Sequence, residues 1–441
     1  MIFLSGLFLF IDMQQLFNLF YECSSISTDT RKIGKDVLYI ALKGENFNGN
    51  EFADDAIKKG AKYAIVDEKE YADNERIFYV ENGLVFLQKL ANHHREKFSI
   101  PIIGITGSNG KTTTKELIAS VLSQKFNVLF TLRNLNNHIG VPLTLLQLTN
   151  DHDIAIIEMG ASKLKDIKEL TDIANPTHGI ITNIGAAHIE GFGSFEGVLK
   201  TKRELYDSIE SVGGTLFYNQ DDEVLINNLP SGIEAISYGT SKESNVNGQL
   251  LEFIPEVEFK WSSDDYHSEA IKTKIIGKYN FYNMLAAICI GHYFEIDPDL
   301  INKGISEYES SNNRSQILKT KNNTLILDAY NANPTSVKSA IESFSMMRSD
   351  EKFFVLGDML ELGKESTRFH QEIIALTKEL NLQGIFVGSI YSEIAKSDDS
   401  IMAFESTYTA KEFLGTASPK NNLILLKGSR SIKLEVLKDI L

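Results

Sequence analysis

One stretch constrains the fold of this chain more than any other: an apolar run, a glycine-containing turn and then a helix-like pattern. It runs from Ile102 to Glu116 and reads IIGITGSNGKTTTKE. The apolar run is typical of a buried strand, and Gly107 and Gly110 allow the turn to close around an anion. Lys111 adds a cation, and Thr112 adds a hydroxyl at the positive end of the helix. This order predicts a nucleotide triphosphate site in an α/β fold.

The turn is a shortened version of the phosphate-loop pattern. The full pattern has a glycine at the position that Ile105 occupies. A glycine-rich turn that merely precedes a lysine is the alternative, and the flanking strand and helix favour the phosphate loop. We expect these residues to hold the phosphates: Thr106, Gly107, Ser108, Asn109, Gly110, Lys111, Thr112 and Thr113.

Length and composition predict about three globular domains, since the chain has 441 residues, of which 43% are hydrophobic and 23% charged. We place them at 1–81, 82–312 and 313–441. The net charge of −15 argues against a nucleic-acid-binding surface. The two cysteines, Cys23 and Cys289, are too few for a disulfide framework and indicate a reducing compartment such as the cytoplasm.

The first eleven residues, MIFLSGLFLFI, form an apolar segment that is too short to span a bilayer and lacks a basic flank. We interpret residues 1–12 as an upstream extension before a start at Met13. A short buried strand and a membrane-dipping tail are the alternatives. We expect no stable membrane insertion.

The first domain reads as a small α/β unit whose loops are rich in hydrogen-bond donors. Strand-like runs cover 37–42 and 63–66. Its loops could hold a uridine and a diphosphate, with Arg31 and Lys43 as the cations. Turn formation and a solvated charge are the alternatives for each residue.

In the middle section, strands alternate with helical patterns, which predicts a mostly parallel sheet with helices on both faces. Ligands of such sheets bind at the carboxyl ends of strands. Glu158 ends one apolar run, where it could present a carboxylate to Mg²⁺, and His188 follows another. Lys202 stands at the start of a predicted helix. A packed histidine and a solvated lysine are the alternatives.

Two asparagine pairs lie near predicted helices. Asn136 and Asn137 belong to a turn-forming cluster and either cap the next helix or touch substrate. Asn280 and Asn283 are three residues apart on one helix face, where an amide can pair with the edge of a purine. Helix capping is the alternative for Asn280.

The last section repeats the alternation, and each of its strands ends in polar or glycine residues. This predicts a second doubly wound, Rossmann-like domain whose loop-bearing edge can close over the nucleotide.

Eight blocks in this order resemble the Mur ligase family, over nearly the whole chain from Met13: GITGSNGKTTTKE, NLNNHIGVPLTLL, EMG, ITNIGAAHIEGFGS, KYNFYNMLAA, LDAYNANPTS, GDMLELG and LLKGSRSIKLE. The blocks YNANP and GDMLELG resemble the branch that adds D-alanyl-D-alanine to UDP-N-acetylmuramoyl-tripeptide in peptidoglycan precursor synthesis. The resemblance implies a monomeric, cytoplasmic ligase that uses ATP and Mg²⁺. ATP would phosphorylate the terminal carboxylate of the tripeptide, and the dipeptide amine would displace the phosphate.

The resemblance also implies residue roles. Lys111, Glu158, His188 and Lys202 would be catalytic, with one Mg²⁺ on Thr112 and Glu158, and a second on His188 and on Lys202 if it is carbamylated. Asn280 and Asn283 would face the adenine, and Arg314 and Asp328 the ribose and phosphates. The UDP end would contact Thr28, Asp29, Thr30, Arg31, Lys43 and Gly44. Asn331, Asn333, Asp358 and Glu361 would line the D-alanyl-D-alanine pocket, with Lys427 and Arg430 nearby. The other candidate substrate contacts are Asn136, Asn137, Tyr330 and Arg430.

Two departures from the family pattern affect the adenine and UDP contacts. Tyr279 stands where the family commonly has His, and Asn48-Gly49-Asn50 where it has Asp-Gly-His. The alternatives are a sibling Mur ligase, another phosphate-loop phosphotransferase, or a non-catalytic Mur-like binding protein. The joint presence of the predicted phosphate and metal residues weighs against the last.

Overall fold

The computed structural model describes residues 2–4, 7–9, 12–310 and 314–441, with side chains from 12 onward. The chain divides into two compact units. One comprises 1–100, 131–151 and 172–175, and the other 101–130, 152–171 and 176–441. The domain bound predicted at 312/313 lies outside the described residues, and the predicted domain bounds stay a prediction.

The N-terminal hundred residues contain a four-stranded parallel sheet in the order β3-β4-β7-β8. Strand β4 is buried throughout because its run of valine, leucine, tyrosine and isoleucine lies between two neighbours. Within the apolar first segment, two short strands pair antiparallel. The elements are β1 (Ile2–Leu4), β2 (Leu7–Leu9), α1 (Met13–Tyr21), β3 (Ser25–Ser27), β4 (Val37–Ile40), β5 (Lys43–Gly44), β6 (Phe47–Asn48), α2 (Ala53–Lys58), β7 (Ala61–Val66), β8 (Ile77–Tyr79) and α3 (Gly83–Arg95).

The central part of the chain contains a nine-stranded sheet in the order β10-β11-β9-β12-β13-β14-β15-β16-β17. It is parallel up to β15, and β16 and β17 continue it antiparallel. The elements are β9 (Ile102–Thr106), α4 (Lys111–Leu122), β10 (Val128–Phe130), α5 (Gly140–Leu145), β11 (Ile154–Glu158), α6 (Asp166–Ala174), β12 (His178–Ile181), α7 (Ile189–Phe192), α8 (Phe195–Ser211), β13 (Thr215–Asn219), α9 (Glu223–Ile226), β14 (Glu234–Gly239), β15 (Val246–Glu252), β16 (Glu256–Ser262), β17 (Ile271–Ile276), α10 (Asn280–Tyr293) and α11 (Pro298–Glu307).

Alternate residues of β9 face opposite sides of this sheet. Ile103 and Ile105 belong to the core formed with α4 and α10. Gly104 faces the other side, where a Cβ would lie 2.9 Å from Leu205 of α8. Helices therefore cover both faces, as the alternation of strands and helices predicts. Lys202 lies in the middle of α8, so the prediction that it stands at a helix start is wrong. The helix starts earlier because Ser194 accepts from the amide of Gly197 at 3.1 Å.

The C-terminal part contains a six-stranded sheet in the order β18-β19-β23-β20-β21-β22, parallel except for β18. Alternate residues of β19 and β20 enter two separate cores, one on each face. This confirms the second doubly wound sheet. The elements are β18 (Gln316–Lys319), β19 (Thr324–Asp328), α12 (Pro334–Met346), β20 (Lys352–Gly357), α13 (Ser366–Glu379), β21 (Gln383–Val387), α14 (Ser389–Ala395), β22 (Ala403–Phe404), α15 (Thr407–Thr416) and β23 (Leu423–Lys427).

Among the described residues, no helix is both long and apolar enough to cross a membrane.

Candidate active site

The phosphate loop between β9 and α4 needs its two glycines. Gly107 and Gly110 have φ values of +147° and +81°, which favour glycine. A Cβ on Gly110 would lie 2.7 Å from Oδ1 of Asn283. Helix α4 begins at Lys111 with no side-chain cap. The amides of its first turn, which have no partner within the helix, are therefore open to an anion.

Residues that follow β12 hold the loop from the side. The amides of Ser108 and Asn109 donate to the carbonyl and side-chain oxygens of Asn183, at 2.9 and 3.0 Å. The Thr182 hydroxyl donates to the Asn109 carbonyl at 2.6 Å. These two loop amides are thus used inside the protein, and phosphate contacts from amides are expected from Gly110 onward. Thr182 and Asn183 are not among the site residues predicted from the sequence. The feature that could have indicated them is the polar end of the strand before His188.

Lys111 is half-buried beside the loop that precedes it. Its ammonium donates to the carbonyl oxygens of Gly107 and Ser108 at 2.6 and 3.4 Å. Burial lowers the pKa of Lys111, and Arg314 lowers it further, while Glu158 opposes both effects. The charges that surround Lys111 therefore come from both the central sheet and the C-terminal part of the same unit.

Glu158 ends β11, and its side chain is 1% exposed. Its Oε1 accepts from the Thr112 hydroxyl at 3.1 Å, and its Oε2 lies 3.5 Å from the ammonium of Lys115. Within the described ranges, no three His, Cys, Asp or Glu side chains form a metal cage. A carboxylate with an adjacent hydroxyl nevertheless fits Mg²⁺, which prefers oxygen ligands and takes few of them from protein when it is bound to phosphates.

His188 follows β12 and meets a residue of the C-terminal part. The carboxylate of Glu361 lies against its Nδ1, and both residues have a left-handed backbone, with φ of 53° and 63°. Burial lowers the pKa of His188, and Glu361 opposes that shift. The amide of Glu190 also donates to the carbonyl of Glu361, at 3.3 Å. Two blocks that are far apart in sequence, ITNIGAAHIEG and GDMLELG, therefore meet here.

Lys202 points from α8 into the protein, and its side chain is 1% exposed. Its ammonium lies 5.9 Å from the centre of the Phe192 ring. Burial lowers the pKa of Lys202 well below its usual range, Lys111 adds to the effect and Asp166 opposes it. Burial and the charge of Lys111 therefore both shift Lys202 toward its neutral amine form.

Asn280 and Asn283 lie on one face of α10, as predicted, but that face is buried. The Asn283 amide donates to Oδ1 of Asn280 at 2.8 Å, and Asn280 donates to the Ile276 carbonyl at 2.8 Å. Oδ1 of Asn283 accepts from the Thr114 hydroxyl at 3.1 Å. In this structure Asn283 connects α10 to the phosphate-loop helix and Asn280 connects it to the end of β17, and contact with adenine stays a prediction.

A stack of three side chains lies at the edge of the six-stranded sheet where its parallel strands end. It is formed by Arg314, Tyr330 and Arg430. The guanidinium carbons of Arg314 and Arg430 lie 3.7 and 5.2 Å from the centre of the Tyr330 ring. Beside them, the ammonium of Lys427 is paired with the carboxylate of Asp328. Asp328 also accepts from the amide of Ser315 at 3.3 Å. Arg314, which is predicted to contact the nucleotide, and Arg430, which is predicted to contact substrate, are thus joined through one aromatic ring.

Asn333 links the C-terminal sheet to the phosphate loop. Its Oδ1 caps α12 by accepting from the amide of Ser336 at 2.9 Å, and its Nδ2 donates to Oδ1 of Asn109 at 2.7 Å. The neighbouring Asn331 is exposed and accepts from the amide of Ala332 at 2.9 Å. The YNANP block therefore lies directly beside the predicted phosphate site.

Asp358 is placed differently from the expectation. Its side chain is 2% exposed, and its oxygens accept from the amides of Ile390 and Tyr391, at 3.0 and 3.1 Å. It thus caps the start of α14, in the C-terminal part of the chain. His370 accepts from the amide of Met359 at 3.0 Å and donates to the Ser366 carbonyl at 2.7 Å. These contacts fix the loop that carries Glu361, and a direct substrate contact of Asp358 stays a prediction.

The residues predicted for the UDP end lie in the other compact unit. Arg31 donates to both carboxylate oxygens of Asp29 at 2.9 Å, and these hydrogen bonds lower the pKa of Asp29 to about 2. Lys43 pairs with Glu68 at 2.6 Å. A cavity of about 490 Å³ is open beside that pair, and its lining includes Lys43, Gly44, Phe47, Asn48, Phe52 and Glu68.

Thr28 and Thr30 flank Asp29, and Thr30 begins a short 3₁₀ turn that the Asp29 side chain caps. Of the asparagines in the turn-forming cluster, Asn137 accepts from the amides of Ile139 and Gly140, at 3.1 and 2.9 Å. Asn137 therefore caps the turn before α5 in this structure. Substrate contact of Asn136 and Asn137 stays a prediction.

Comparisons with known proteins cover the whole of this arrangement. Residues 22–95 match the Mur ligase family, catalytic domain; 105–291 match the Mur ligase middle domain; and 313–430 match the Mur ligase glutamate ligase domain. The chain is 36% identical to a UDP-N-acetylmuramoyl-tripeptide--D-alanyl-D-alanine ligase of Bacillus subtilis, over 94% of this chain and 93% of the relative.

Solved structures give the same result. A crystal structure of MurF from Acinetobacter baumannii superposes with a TM-score of 0.87 at 29% identity, and the match covers 97% of each chain. MurF of Thermotoga maritima, crystallised with ADP, superposes with a TM-score of 0.84 at 26% identity, covering 96% of this chain and 97% of that one. The chain belongs to the Mur ligase family.

Proposed function

We propose that this chain is an ATP-dependent ligase that joins D-alanyl-D-alanine to the terminal carboxylate of UDP-N-acetylmuramoyl-tripeptide, with ADP and phosphate as the other products. One observation carries the proposal. The two C-terminal blocks that resemble this branch of the family both contact the central domain. In the YNANP block, Asn333 donates to Asn109 of the phosphate loop, and in the GDMLELG block, the Glu361 carboxylate lies against His188. The relatives that bear this ligase name, at 36% identity for the Bacillus subtilis protein, support the same substrates.

The first step needs two anions to meet, because the carboxylate of the tripeptide attacks the γ-phosphate. Lys111 and the open amides at the start of α4 hold the outer phosphates and reduce their charge. Thr112 and Glu158 would hold one Mg²⁺, and His188 a second. Bound there, the metal ions would neutralise the charge that builds up as the anions approach. The effect of Arg314 on the pKa of Lys111 supports a nucleotide contact for Arg314, and Asp328, at the end of β19, is proposed to share it.

The second step needs the dipeptide amine at the acyl phosphate. Its nitrogen bonds to the carbonyl carbon, the tetrahedral intermediate expels phosphate, and the amine loses a proton. Glu361 offers a carboxylate to the ammonium group of the incoming dipeptide, and Arg430 offers a guanidinium to its carboxylate. Tyr330 holds Arg430 and Arg314 against one ring, which supports dipeptide binding beside the nucleotide.

Lys202 is proposed to be carbamylated, in line with the family resemblance. Addition of CO₂ to the neutral amine forms an N–C bond, releases a proton and converts a neutral group into an anion. The burial of Lys202 and the nearby charge of Lys111 support this change, because both disfavour the charged ammonium and the anion that forms would lie near a cation. The anion would then support the second metal ion.

The N-terminal unit is proposed to bind the UDP end of the tripeptide substrate, with Lys43 and Gly44 at its cavity and Arg31 nearby in sequence. The domain bounds 1–81, 82–312 and 313–441 and a monomeric, cytoplasmic enzyme belong to the same proposal.

Phosphate release from ATP and Mg²⁺, measured with UDP-N-acetylmuramoyl-tripeptide present, tests the reaction. D-Alanyl-D-alanine, single amino acids and no amine are compared side by side. Release with the dipeptide alone supports the proposal. Release with a single amino acid would assign the chain to a sibling ligase, and release with no added amine would identify an ATPase or another phosphotransferase.

A further inference from the structure

Lys115 is a buried lysine one turn after Lys111 on α4, and the mechanism above gives it no role. Its side chain is 1% exposed, and its ammonium lies 3.5 Å from Oε2 of Glu158 and 4.0 Å from Oε1 of Glu116. In the described part of the chain, the ammonium has no hydrogen-bond partner. A charge buried in this way is costly unless an opposite charge compensates it. Its position beside Glu158 therefore calls for a function.

The two oxygens of Glu158 have different neighbours. Oε1 accepts from Thr112, and Oε2 faces Lys115. A hydrogen bond at one oxygen and an ion pair at the other restrict the orientation of this carboxylate at the end of β11. The other carboxylate near Lys115, that of Glu116, is farther away and accepts from the Tyr308 hydroxyl at 2.7 Å. Glu158 is thus the group on which Lys115 acts most directly.

We propose that Lys115 is a positioning residue, which holds the charged carboxylate of Glu158 in the orientation that receives Mg²⁺ together with Thr112. The inference rests on the proposed function, since it assumes a magnesium nucleotide site at the phosphate loop. Lys115 acts through Glu158 and contacts neither phosphate nor the reacting carboxylate. Residues that orient metal ligands in this way typically change metal affinity by about 10- to 100-fold when they are replaced.

Calorimetric titration with ADP, in EDTA and in excess Mg²⁺, tests this on the full chain. The ratio of the two dissociation constants measures how much Mg²⁺ tightens ADP binding. In Lys115→Met, which keeps the length of the side chain and removes its charge, the ratio should fall by about 10- to 100-fold, with ADP binding in EDTA unchanged. The matched control is Glu116→Gln, which should keep the wild-type ratio.

A second comparison covers the case in which Lys115→Met does not fold. Glu158→Gln removes the charge that Lys115 compensates, so the double variant Lys115→Met with Glu158→Gln should show the same ratio as Glu158→Gln alone. A further fall in the double variant would overturn the proposal. So would a wild-type ratio in Lys115→Met, or an equal weakening with and without Mg²⁺. If the wild-type protein itself shows no Mg²⁺-dependent ADP binding, the proposed nucleotide site fails instead.

Discussion

The hydrogen bond between Asn333 and Asn109 predicts a measurable loss of activity when Asn333 is replaced by serine. Serine caps helices about as well as asparagine, so Asn333→Ser should keep the cap on the amide of Ser336. Its side chain is too short to reproduce the 2.7 Å bond to Oδ1 of Asn109. The substitution therefore separates the contact at the phosphate loop from the stability of α12.

The size of the effect follows from the type of bond. A hydrogen bond between two neutral groups contributes about 0.5–1.5 kcal/mol, which corresponds to about a twofold to tenfold change in an equilibrium. If amide formation needs this contact between the C-terminal part of the chain and the phosphate loop, kcat/KM for D-alanyl-D-alanine should fall by about that factor. The thermal unfolding midpoint should stay near the wild-type value, because the cap is kept.

Steady-state phosphate release at saturating ATP measures this, with Ser336→Ala as the matched control. That control removes the hydroxyl that accepts from the backbone N–H of Asn333 at 3.1 Å, but it leaves the side-chain contact of Asn333 with Asn109 in place. It should lower the unfolding midpoint and leave kcat/KM unchanged. Asn109→Ala should lower kcat/KM as Asn333→Ser does, and the two combined should cost no more than either alone. Additive losses, or an unchanged kcat/KM in Asn333→Ser, would refute the reasoning.

Three other substitutions have defined outcomes. Gly110→Ala should weaken ADP binding by more than about tenfold in calorimetry, because a Cβ there meets Asn283 at 2.7 Å, whereas Gly213→Ala, at φ +62° in open space, should not. Lys202→Arg should abolish bicarbonate-dependent activity and keep ADP binding, since a guanidinium does not add CO₂. An unmodified mass of the wild-type protein, together with turnover that does not respond to bicarbonate, would argue against carbamylation. Burial lowers the pKa of His178 to about 4, so as pH falls below about 6.5 the unfolded chain gains a proton that the folded chain does not. Wild-type stability should therefore drop between pH 6.5 and about 4, and His178→Phe should reduce the drop in urea unfolding; parallel curves would contradict this.

The phosphate loop was predictable because its requirements are local. The strand, the two glycines with positive φ and the start of α4 all lie within fifteen consecutive positions. The residues that hold the loop were not predictable in the same way. Asn183 reaches Ser108 and Asn109 because β12 lies next to β9 in the sheet, with β11 on the other side. Sequence order gives the strands but not their neighbours.

Spacing predicted which residues share a face, but not what that face meets. Asn280 and Asn283 do lie together on α10, where the three-residue spacing puts them. Their face is buried, so the side chain of Asn280 donates to Ile276 of β17 and that of Asn283 accepts from Thr114 of α4. Asp358 is a similar case. It follows a strand, as expected of a site residue, but Gly388 leaves space that its carboxylate fills.

The partners of strand-end residues follow from register once the sheet order is known. Asp328 and Lys427 are the last residues of β19 and β23, and the parallel register pairs them directly. Their ion pair, between residues that are 99 positions apart, is thus a consequence of two neighbouring strands that end at the same level. In the nine-stranded sheet, Glu158 is paired in register with Ile105, the residue before the last one of β9. The carboxylate of Glu158, which is predicted to hold Mg²⁺, and the phosphate loop therefore meet because β11 and β9 end within one residue of each other. A one-residue slip between these strands would separate them.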